Sequence, residues 1–168
     1  MRQKFAAQNR VQITSVTLRR NGLEFKVKSF HELSVEELYQ ILRSRAQVFA
    51  MEKKIYYLDP DNVDQKCLHC FLWQGGEVVA YLRAFYDDEA HTTVRIGRVL
   101  TTTHGLGHGR ILMEKSLEAI RKCLPHTRLT MHSQSDVVGF YEKLGFAVTS
   151  EEFTEAGIPH REMVWQGK

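Results

Sequence analysis

A strand, a glycine-rich turn and an amphipathic helix follow one another between residues 93 and 124, and this succession restricts the possible folds more than any other segment. Thr93–Thr101 is rich in β-branched residues, and the apolar residues after Gly109 recur at helical spacing until Pro125 ends the helix. The turn between them, His104–Gly109, has glycine at every second position. Successive backbone N–H groups in such a turn, at a helix N-terminus, form a binding site for an anion such as phosphate.

Glycines before a helix are also typical of ordinary turns, so the turn alone does not establish a phosphate site. A Walker loop requires Lys and then Ser or Thr after the last glycine, whereas this sequence has Arg110 and Ile111. A dinucleotide fingerprint requires Gly-x-Gly-x-x-Gly and an acidic residue at the end of the following strand, and the sequence has neither. Both of these nucleotide-binding classes are therefore excluded.

The remaining pattern predicts strands and helices in the order β, α, β, β, β, α, β, α, β, β. The other predicted strands are Leu23–Phe30, Cys67–Trp73, Val78–Tyr86, Arg128–His132, Phe146–Phe153 and Arg161–Trp165. The other predicted helices are Val35–Ala50, which a capping box of Ser34 and Glu37 begins, and Asp136–Leu144, which Gly145 ends. This order predicts an α/β (α+β) fold.

The length of 168 residues is sufficient for one buried core, so we expect a single domain at 23–168. Residues 1–22 contain five arginines and lysines and no acid, and we interpret them as an N-terminal extension. The net charge of +3 arises from acids and bases that are both spread along most of the chain, which is unlike a nucleic-acid-binding arm. With no apolar run of membrane-spanning length and three cysteines without framework spacing, we expect a soluble cytoplasmic protein that binds neither nucleic acid nor membrane.

Two motifs give a family resemblance. Gly107-x-Gly109 follows Arg98-Val99-Leu100, and Phe140-Tyr-Glu-Lys-Leu-Gly-Phe146 comes later in the chain. They resemble the (Gln/Arg)-x-x-Gly-x-(Gly/Ala) and Phe-Tyr-x-x-x-Gly-Phe motifs of the GNAT (GCN5-related N-acetyltransferase) superfamily, in the same order. Residues 23 to about 165 further resemble its ElaA-type branch, through segments such as Ile96–Val99 and Gly157–His160.

The resemblance implies a mixed, mostly antiparallel sheet of six to seven strands that opens into a V, flanked by helices. It implies an N-acetyltransferase that passes the acetyl group of acetyl-CoA to a primary amine by direct attack. The alternative is a non-catalytic module on the same fold that binds CoA or a protein partner. His104 favours this alternative, because the motif prefers Gln or Arg at its position.

The resemblance also implies the roles of individual residues. The backbone of Val99 and Leu100 pairs with the pantetheine arm, and Gln134 and Phe140 help to hold the cofactor. Tyr141 donates a proton to the leaving thiolate, for which the alternative is a plain core aromatic. The pyrophosphate is held by the loop residues His104, Gly105, Gly107, His108, Gly109 and Arg110.

The general base that deprotonates the amine is not singled out by the sequence. His69, His132 and His160 are the candidates, and for each one a hydrogen-bonded or exposed imidazole is the more common alternative. Asp59, Asp61 and Asp64 would form an acidic mouth that attracts a cationic amine, unless they belong to an ordinary polar loop. The expected acceptor is a small-molecule or peptide amine.

A metal site is not expected. Cys67, His69 and Cys70 are only three ligands, and in a strand the first two face away from the third. Cys123 lies near a helix end beside two basic residues, but direct transfer requires no cysteine nucleophile. The strand edges of the expected sheet are compatible with a homodimer.

Overall fold

The computed structural model describes residues 22–167 of the chain. The predicted N-terminal extension therefore lies outside the described residues, apart from Gly22. One sheet in the described part contains eight strands: β1 (Glu24–Ser29), β2 (Leu68–Gln74), β3 (Glu77–Tyr86), β4 (Thr93–Thr101), β5 (Arg128–Gln134), β6 (Phe146–Val148), β7 (Phe153–Glu155) and β8 (Ile158–Trp165). Three α-helices accompany it: α1 (Val35–Arg45), α2 (His108–Cys123) and α3 (Val138–Glu142).

The strand order is β1-β2-β3-β4-β5-β8-β6, and β7 also pairs with β8. Within the described sheet, β4 and β5 are parallel and the other pairs are antiparallel, which confirms the predicted mixed sheet. The described sheet has eight strands where six to seven were expected, because the predicted strand Phe146–Phe153 forms two strands, β6 and β7. Between them the hydroxyl of Ser150 accepts the N–H of Glu162 at 2.8 Å, so a side chain replaces the backbone ladder there.

Two of the predicted helices differ from the structure in type or length. The predicted capping box at α1 is confirmed, because Ser34 Oγ accepts the N–H of Glu37 and the Glu37 carboxylate accepts the N–H of Ser34. The predicted helix Val35–Ala50 is α-helical only as far as Arg45, and its last five residues belong to a π-helix, Ala46–Glu52. The predicted helix Asp136–Leu144 is also shorter, since Ser135–Val137 is a 3₁₀-helix and α3 ends at Glu142.

Gly145 ends this segment for a steric reason. Its φ is +92°, and a Cβ atom there would lie 2.8 Å from the backbone oxygen of Gly167. Only glycine fits both the left-handed backbone and this close approach. The prediction that Gly145 stops the short helix is therefore confirmed.

Both faces of the sheet are covered by helices. On one face, α2 buries Leu112, Met113 and Ile120 against the central strands. On the other face, α1 and the π-helix bury Ile41 and Phe49 in a second cluster with residues of β2, β3 and β4. The described helices are all too short or too polar to cross a membrane.

The sheet opens between its two parallel strands. β4 and β5 pair from Thr93–Arg128 to Ile96–Met131, and no further pair joins these two strands in the described sheet, so the predicted V is confirmed. On its other side β4 carries a bulge. Its pairing with β3 shifts between Tyr81 and Arg83, which leaves Arg98 and Val99 without a register partner in either neighbouring strand.

Candidate functional site

A cavity of about 450 Å³ opens where β4 and β5 diverge. Its walls come from the ends of both strands, from the segment after α1 and from the turn between β7 and β8. Three residues predicted as catalytic or cofactor-binding line it, Val99, Gln134 and Tyr141. The glycine-rich loop and Phe140 are not among its lining residues, but the loop directly follows β4, whose last residues line the cavity up to Val99.

The loop ends in an N-terminus with unpaired backbone amides. Gly107 precedes α2 at a φ of +77°, a left-handed conformation that favours glycine. The first helical bond runs from the N–H of Ile111 to the Gly107 oxygen at 3.2 Å. Within residues 22–167, the N–H groups of His108, Gly109 and Arg110 have no acceptor. Such a helix end carries partial positive charge and suits an anion.

The end of β4 presents an open edge toward the cavity. From Gly97 to Thr101 the strand has no partner in β5, so an extended ligand can pair with it as an added strand. Val99 lines the cavity, whereas the side chain of Leu100 is buried in the core beneath α1. This edge is the one that the predicted roles of Val99 and Leu100 require.

Tyr141 lies in the cavity wall with its ring held by aromatic contacts. It packs edge-on against Phe140 at 5.0 Å and against Phe146 at 6.1 Å between ring centroids. Burial raises the pKa of its hydroxyl, so the phenol keeps its proton in the physiological range. Phe140 also reaches α2, because its Cζ lies 3.5 Å from the position that a Cβ on Gly109 would take. The two predicted motifs are therefore in contact.

The end of the π-helix contacts both sides of the opening. Lys53 Nζ donates a hydrogen bond to Gln134 Oε1 at 2.7 Å. Glu52 Oε1 lies 2.8 Å from His104 Nε2, in the glycine-rich loop. The imidazole of His104 is therefore in hydrogen-bond contact with a carboxylate. Arg110, also expected to hold the pyrophosphate, is half exposed and lies 3.9 Å from Glu114 on the next helical turn.

The predicted acidic mouth is wrong, because its three carboxylates are neutralised by arginines. Arg45 contacts Asp59 and Asp64 at 2.7 and 2.8 Å. The remaining ion pairs of this Arg/Asp network are Arg83 with Asp61 and Asp64, and Arg98 with Asp59 and Asp61. Three carboxylates and three guanidinium groups leave no net negative charge.

The network lowers the pKa of two of its aspartates, Asp61 and Asp64. The hydrogen bond from Arg83 is the main cause that lowers the pKa of Asp61. Burial alone would raise the pKa of Asp64, but the charges of Arg45 and Arg83 outweigh it and the net change is a lower pKa. Both carboxylates therefore remain ionised and act as anchors for the loop that carries them.

The three candidate histidines differ in position. His69 is fully buried outside the cavity lining, and its nitrogens lie 2.8 Å from the Tyr81 hydroxyl and 3.0 Å from the Asp64 backbone oxygen. Burial lowers its pKa, so His69 is a structural, hydrogen-bonded residue. His132 and His160 both line the cavity.

Comparison with known proteins adds to this geometry. The model of the acetyltransferase (GNAT) domain family matches residues 44–166. The chain belongs to the GNAT acetyltransferase family. Its similarity to protein ElaA of Escherichia coli, at 33% identity over 142 residues, 82% of this chain and 93% of ElaA, supports the predicted ElaA-type branch. A UPF0039 protein of Schizosaccharomyces pombe is 38% identical over 147 residues, 85% of this chain and 97% of that protein.

Solved structures of this GNAT family show the same fold. The crystal structure of Escherichia coli ElaA matches with a TM-score of 0.80 at 32% identity, and covers 86% of this chain and 99% of that one. An acyl-CoA N-acyltransferase from Pseudomonas aeruginosa matches with a TM-score of 0.79 at 31% identity, over 85% of this chain and 99% of that one. The GNAT fold expected from the two motifs is confirmed.

Sequence reasoning missed the Arg/Asp network and several cavity residues, among them Lys53 and Glu155. Lys53 and Glu155 line the cavity, but each lies in a polar segment without a motif. Arg45 and Arg83 stand at helical and strand positions where apolar residues surround them, and a buried charge at such a position indicates a partner elsewhere in the sequence. That signal was present, but it does not say which aspartates are the partners.

Proposed function

We propose that this protein transfers the acetyl group of acetyl-CoA to a primary amine by direct attack in a ternary complex. Membership of the GNAT acetyltransferase family supports this function. The observation that carries it is the continuity of three features along β4: the unpaired amides at the start of α2, the open strand edge and the cavity that contains Tyr141. A diphosphate, an extended amide arm and a thioester require these features in that order.

The residues present fit coenzyme A. The N–H groups of His108, Gly109 and Arg110 would hold the diphosphate, together with the loop from His104. The backbone of Val99 and Leu100 would pair with the pantetheine arm. Gln134 and Phe140 would lie beside it, one on each side of the opening. No metal is required, because the thioester is already an activated acyl group.

The protein's own groups account for the remaining chemistry. Backbone N–H groups freed at the bulge near Val99 polarise the acyl carbonyl, where negative charge develops during attack. Tyr141 holds a proton in the cavity and donates it to the departing sulfur.

The cavity favours an acceptor with a single amine. Because the aspartates of the mouth are paired with arginines, they do not attract a polycation, and we propose a small molecule or a peptide end instead of a polyamine. Apolar residues such as Ile55, Val63 and Phe85 also line the cavity. They would contact the carbon skeleton of the acceptor.

The test combines calorimetry with an amine screen. Acetyl-CoA and CoA are titrated into the protein, and thiol release is then followed with a panel of amines. Tyr141→Phe is expected to lower kcat about 100-fold while the Kd for acetyl-CoA stays the same. Tyr39→Phe is the matched control, since Tyr39 is 61% exposed and outside the cavity lining. Equal kcat in the wild type and Tyr141→Phe would remove Tyr141 from this role.

The alternative, a non-catalytic CoA- or protein-binding module, is favoured by one observation. His104 replaces the Gln or Arg of the motif and is engaged by Glu52. If the protein binds CoA in the calorimeter but releases no thiol with any amine, this alternative is supported.

A further inference from the structure

His132 occupies the point at which the two parallel strands separate. It follows Met131, the last β5 residue with a partner in β4, and it lines the same cavity as Gly97 and Tyr141. Its side chain is 24% exposed, so the ring is held by the protein but open to the cavity. A group at this position is next to the site at which the proposed function brings the amine and the thioester together.

A carboxylate orients the His132 ring. Glu155 Oε2 lies 2.7 Å from His132 Nδ1, and the ring packs edge-on against Phe153 with centroids 5.0 Å apart. In the neutral imidazole, the N–H at Nδ1 donates to the carboxylate, which leaves the lone pair on Nε2. Among residues 22–167, Nε2 has no hydrogen-bond partner.

The backbone fixes Glu155 in this place. Glu155 is the last residue of β7 and pairs in register with Ile158 of β8. The tight turn between these strands uses left-handed backbone at Ala156 and Gly157, with φ of +50° and +76°. Because the turn joins two paired strands, the carboxylate has a defined position relative to β5.

The other candidate histidines lack this arrangement. Both nitrogens of His69 are occupied in the core. His160 Nδ1 lies 2.8 Å from the backbone oxygen of Ile158, which fixes its tautomer, but the contact is a neutral carbonyl. A carboxylate stabilises the imidazolium that forms when the ring accepts a proton, and a carbonyl does so less strongly.

We infer that His132 is the general base of the proposed transfer and that Glu155 is its positioning residue; this inference rests on the proposed function. His132 Nε2 takes one proton from the ammonium form of the acceptor and passes it to solvent. The amine nitrogen then forms a bond to the acyl carbon, and the carbon–sulfur bond breaks. Tyr141 gives its proton to the sulfur and regains one from the acetylated nitrogen, so the products are amide, thiol and one released proton.

Other charged groups face His132 from the strands packed against it. Glu162 and His160 face it from β8, and Glu162 is itself held by Arg128 at 3.4 Å. Arg95 and Arg98 line the cavity from β4, but each is paired with an aspartate. Glu155 is thus the carboxylate in direct contact with the ring among the described residues.

The experiment is the pH dependence of kcat/KM for the wild type and three variants, with an amine found in the screen. The wild type is expected to lose activity on the acidic side. His132→Ala should be at least 100-fold slower at pH 7 with an unchanged Kd for acetyl-CoA, and added imidazole should restore part of its rate. Glu155→Gln should keep the acidic limb and lower kcat/KM at pH 7 about 10-fold, because the carboxylate no longer orients the ring. His160→Gln, which removes the other histidine of the cavity, should keep the acidic limb.

Three results would overturn the inference. One is a His132→Ala variant with the wild-type profile, and another is loss of the acidic limb in His160→Gln only. The third is loss of the limb in Glu155→Gln but not in His132→Ala, which would make the carboxylate the base. Thermal melting of each variant separates these results from misfolding. If the wild type turns over and His132→Ala has the same kcat/KM, only this inference is contradicted. If the wild type shows no turnover, the proposed function is contradicted as well.

Discussion

Replacing Asp64 by Asn tests whether the Arg/Asp network stabilises the protein. Asp64 Oδ1 accepts hydrogen bonds from Arg45 Nη1 at 2.8 Å and from Arg83 Nη1 at 2.7 Å. Arg45 is fully buried and Arg83 is 3% exposed, so water cannot solvate either guanidinium when the charge of Asp64 is removed. Asn has the same shape as Asp, and the variant therefore removes a charge without creating a cavity.

The size of the effect follows from burial and from the partners that remain. Removing one partner of a buried ion pair costs about 3–5 kcal/mol, because a charge is left without compensation. Arg45 keeps Asp59 and Arg83 keeps Asp61, so the lower end of this range applies. We expect the free energy of unfolding to fall by about 3 kcal/mol. At a urea m-value of about 2 kcal/mol/M, the midpoint should fall by about 1.5 M.

The measurement is urea denaturation followed by the fluorescence of the two tryptophans. Glu77→Gln is the control, since it breaks the exposed pair of Glu77 with Arg43 and should cost less than about 1 kcal/mol. If Asp64→Asn and Glu77→Gln have equal midpoints, the buried network does not stabilise the fold and the reasoning fails.

The difference in the free energy of unfolding between the wild type and Asp64→Asn should depend on pH with a definite sign. The pKa of Asp64 is lower in the folded protein than its ordinary value of 3.8, because the arginines outweigh the effect of burial. A lowered pKa contributes stability that is complete above the unfolded value and is lost as the pH falls through the folded value. The gap between the wild type and Asp64→Asn should therefore be constant from pH 5 to 7 and narrow below about pH 4.

Two further predictions concern the loop and the cysteines. Gly107→Ala places a side chain at a φ of +77°, so it should lower the free energy of unfolding by about 1 kcal/mol and weaken the binding of acetyl-CoA. Gly139→Ala is the control, because Gly139 lies within α3 with open space around it, and this variant should change neither quantity. Thermal melting measures the stability of both variants, and calorimetry measures their binding. Burial raises the pKa of Cys67 and of Cys70 to about 12, so a thiol reagent at pH 7.5 should label neither residue in the native protein but both in urea. Rapid labelling of Cys67 or Cys70 in the native protein would contradict their burial.

The sequence predicted the elements whose signals are local. The strand limits of Thr93–Thr101 and the capping box at Ser34 were predicted correctly, because periodicity and capping depend on neighbouring residues. The glycine-rich loop and the Phe-Tyr motif are likewise continuous segments. Their contact through Phe140 and Gly109 was not predicted, and the family resemblance implied only that both lie at the cofactor.

The errors lie where distant residues decide the local structure. The π-helix at Ala46–Glu52 follows Arg45, whose charge is satisfied by Asp59 and Asp64 of a later loop. The break in Phe146–Phe153 depends on the Ser150 hydroxyl and on β8, which comes later in the chain. Periodicity in one segment contains no information about either partner.

The aspartates at 59, 61 and 64 were misread for the same reason, because their arginine partners lie in other segments of the chain. One of these arginines, Arg98, also links the network to the bulge in β4. Arg98 has a φ of +56°, a conformation that costs a residue with a Cβ about 1–2 kcal/mol. Its guanidinium contacts Asp59 Oδ1 at 2.8 Å and lies over the ring of Tyr57 at 5.3 Å, and these contacts offset that cost. Since this conformation belongs to the bulge that frees the backbone of Val99, the aspartates would act on the proposed acyl site by fixing its backbone, and not by attracting the proposed amine.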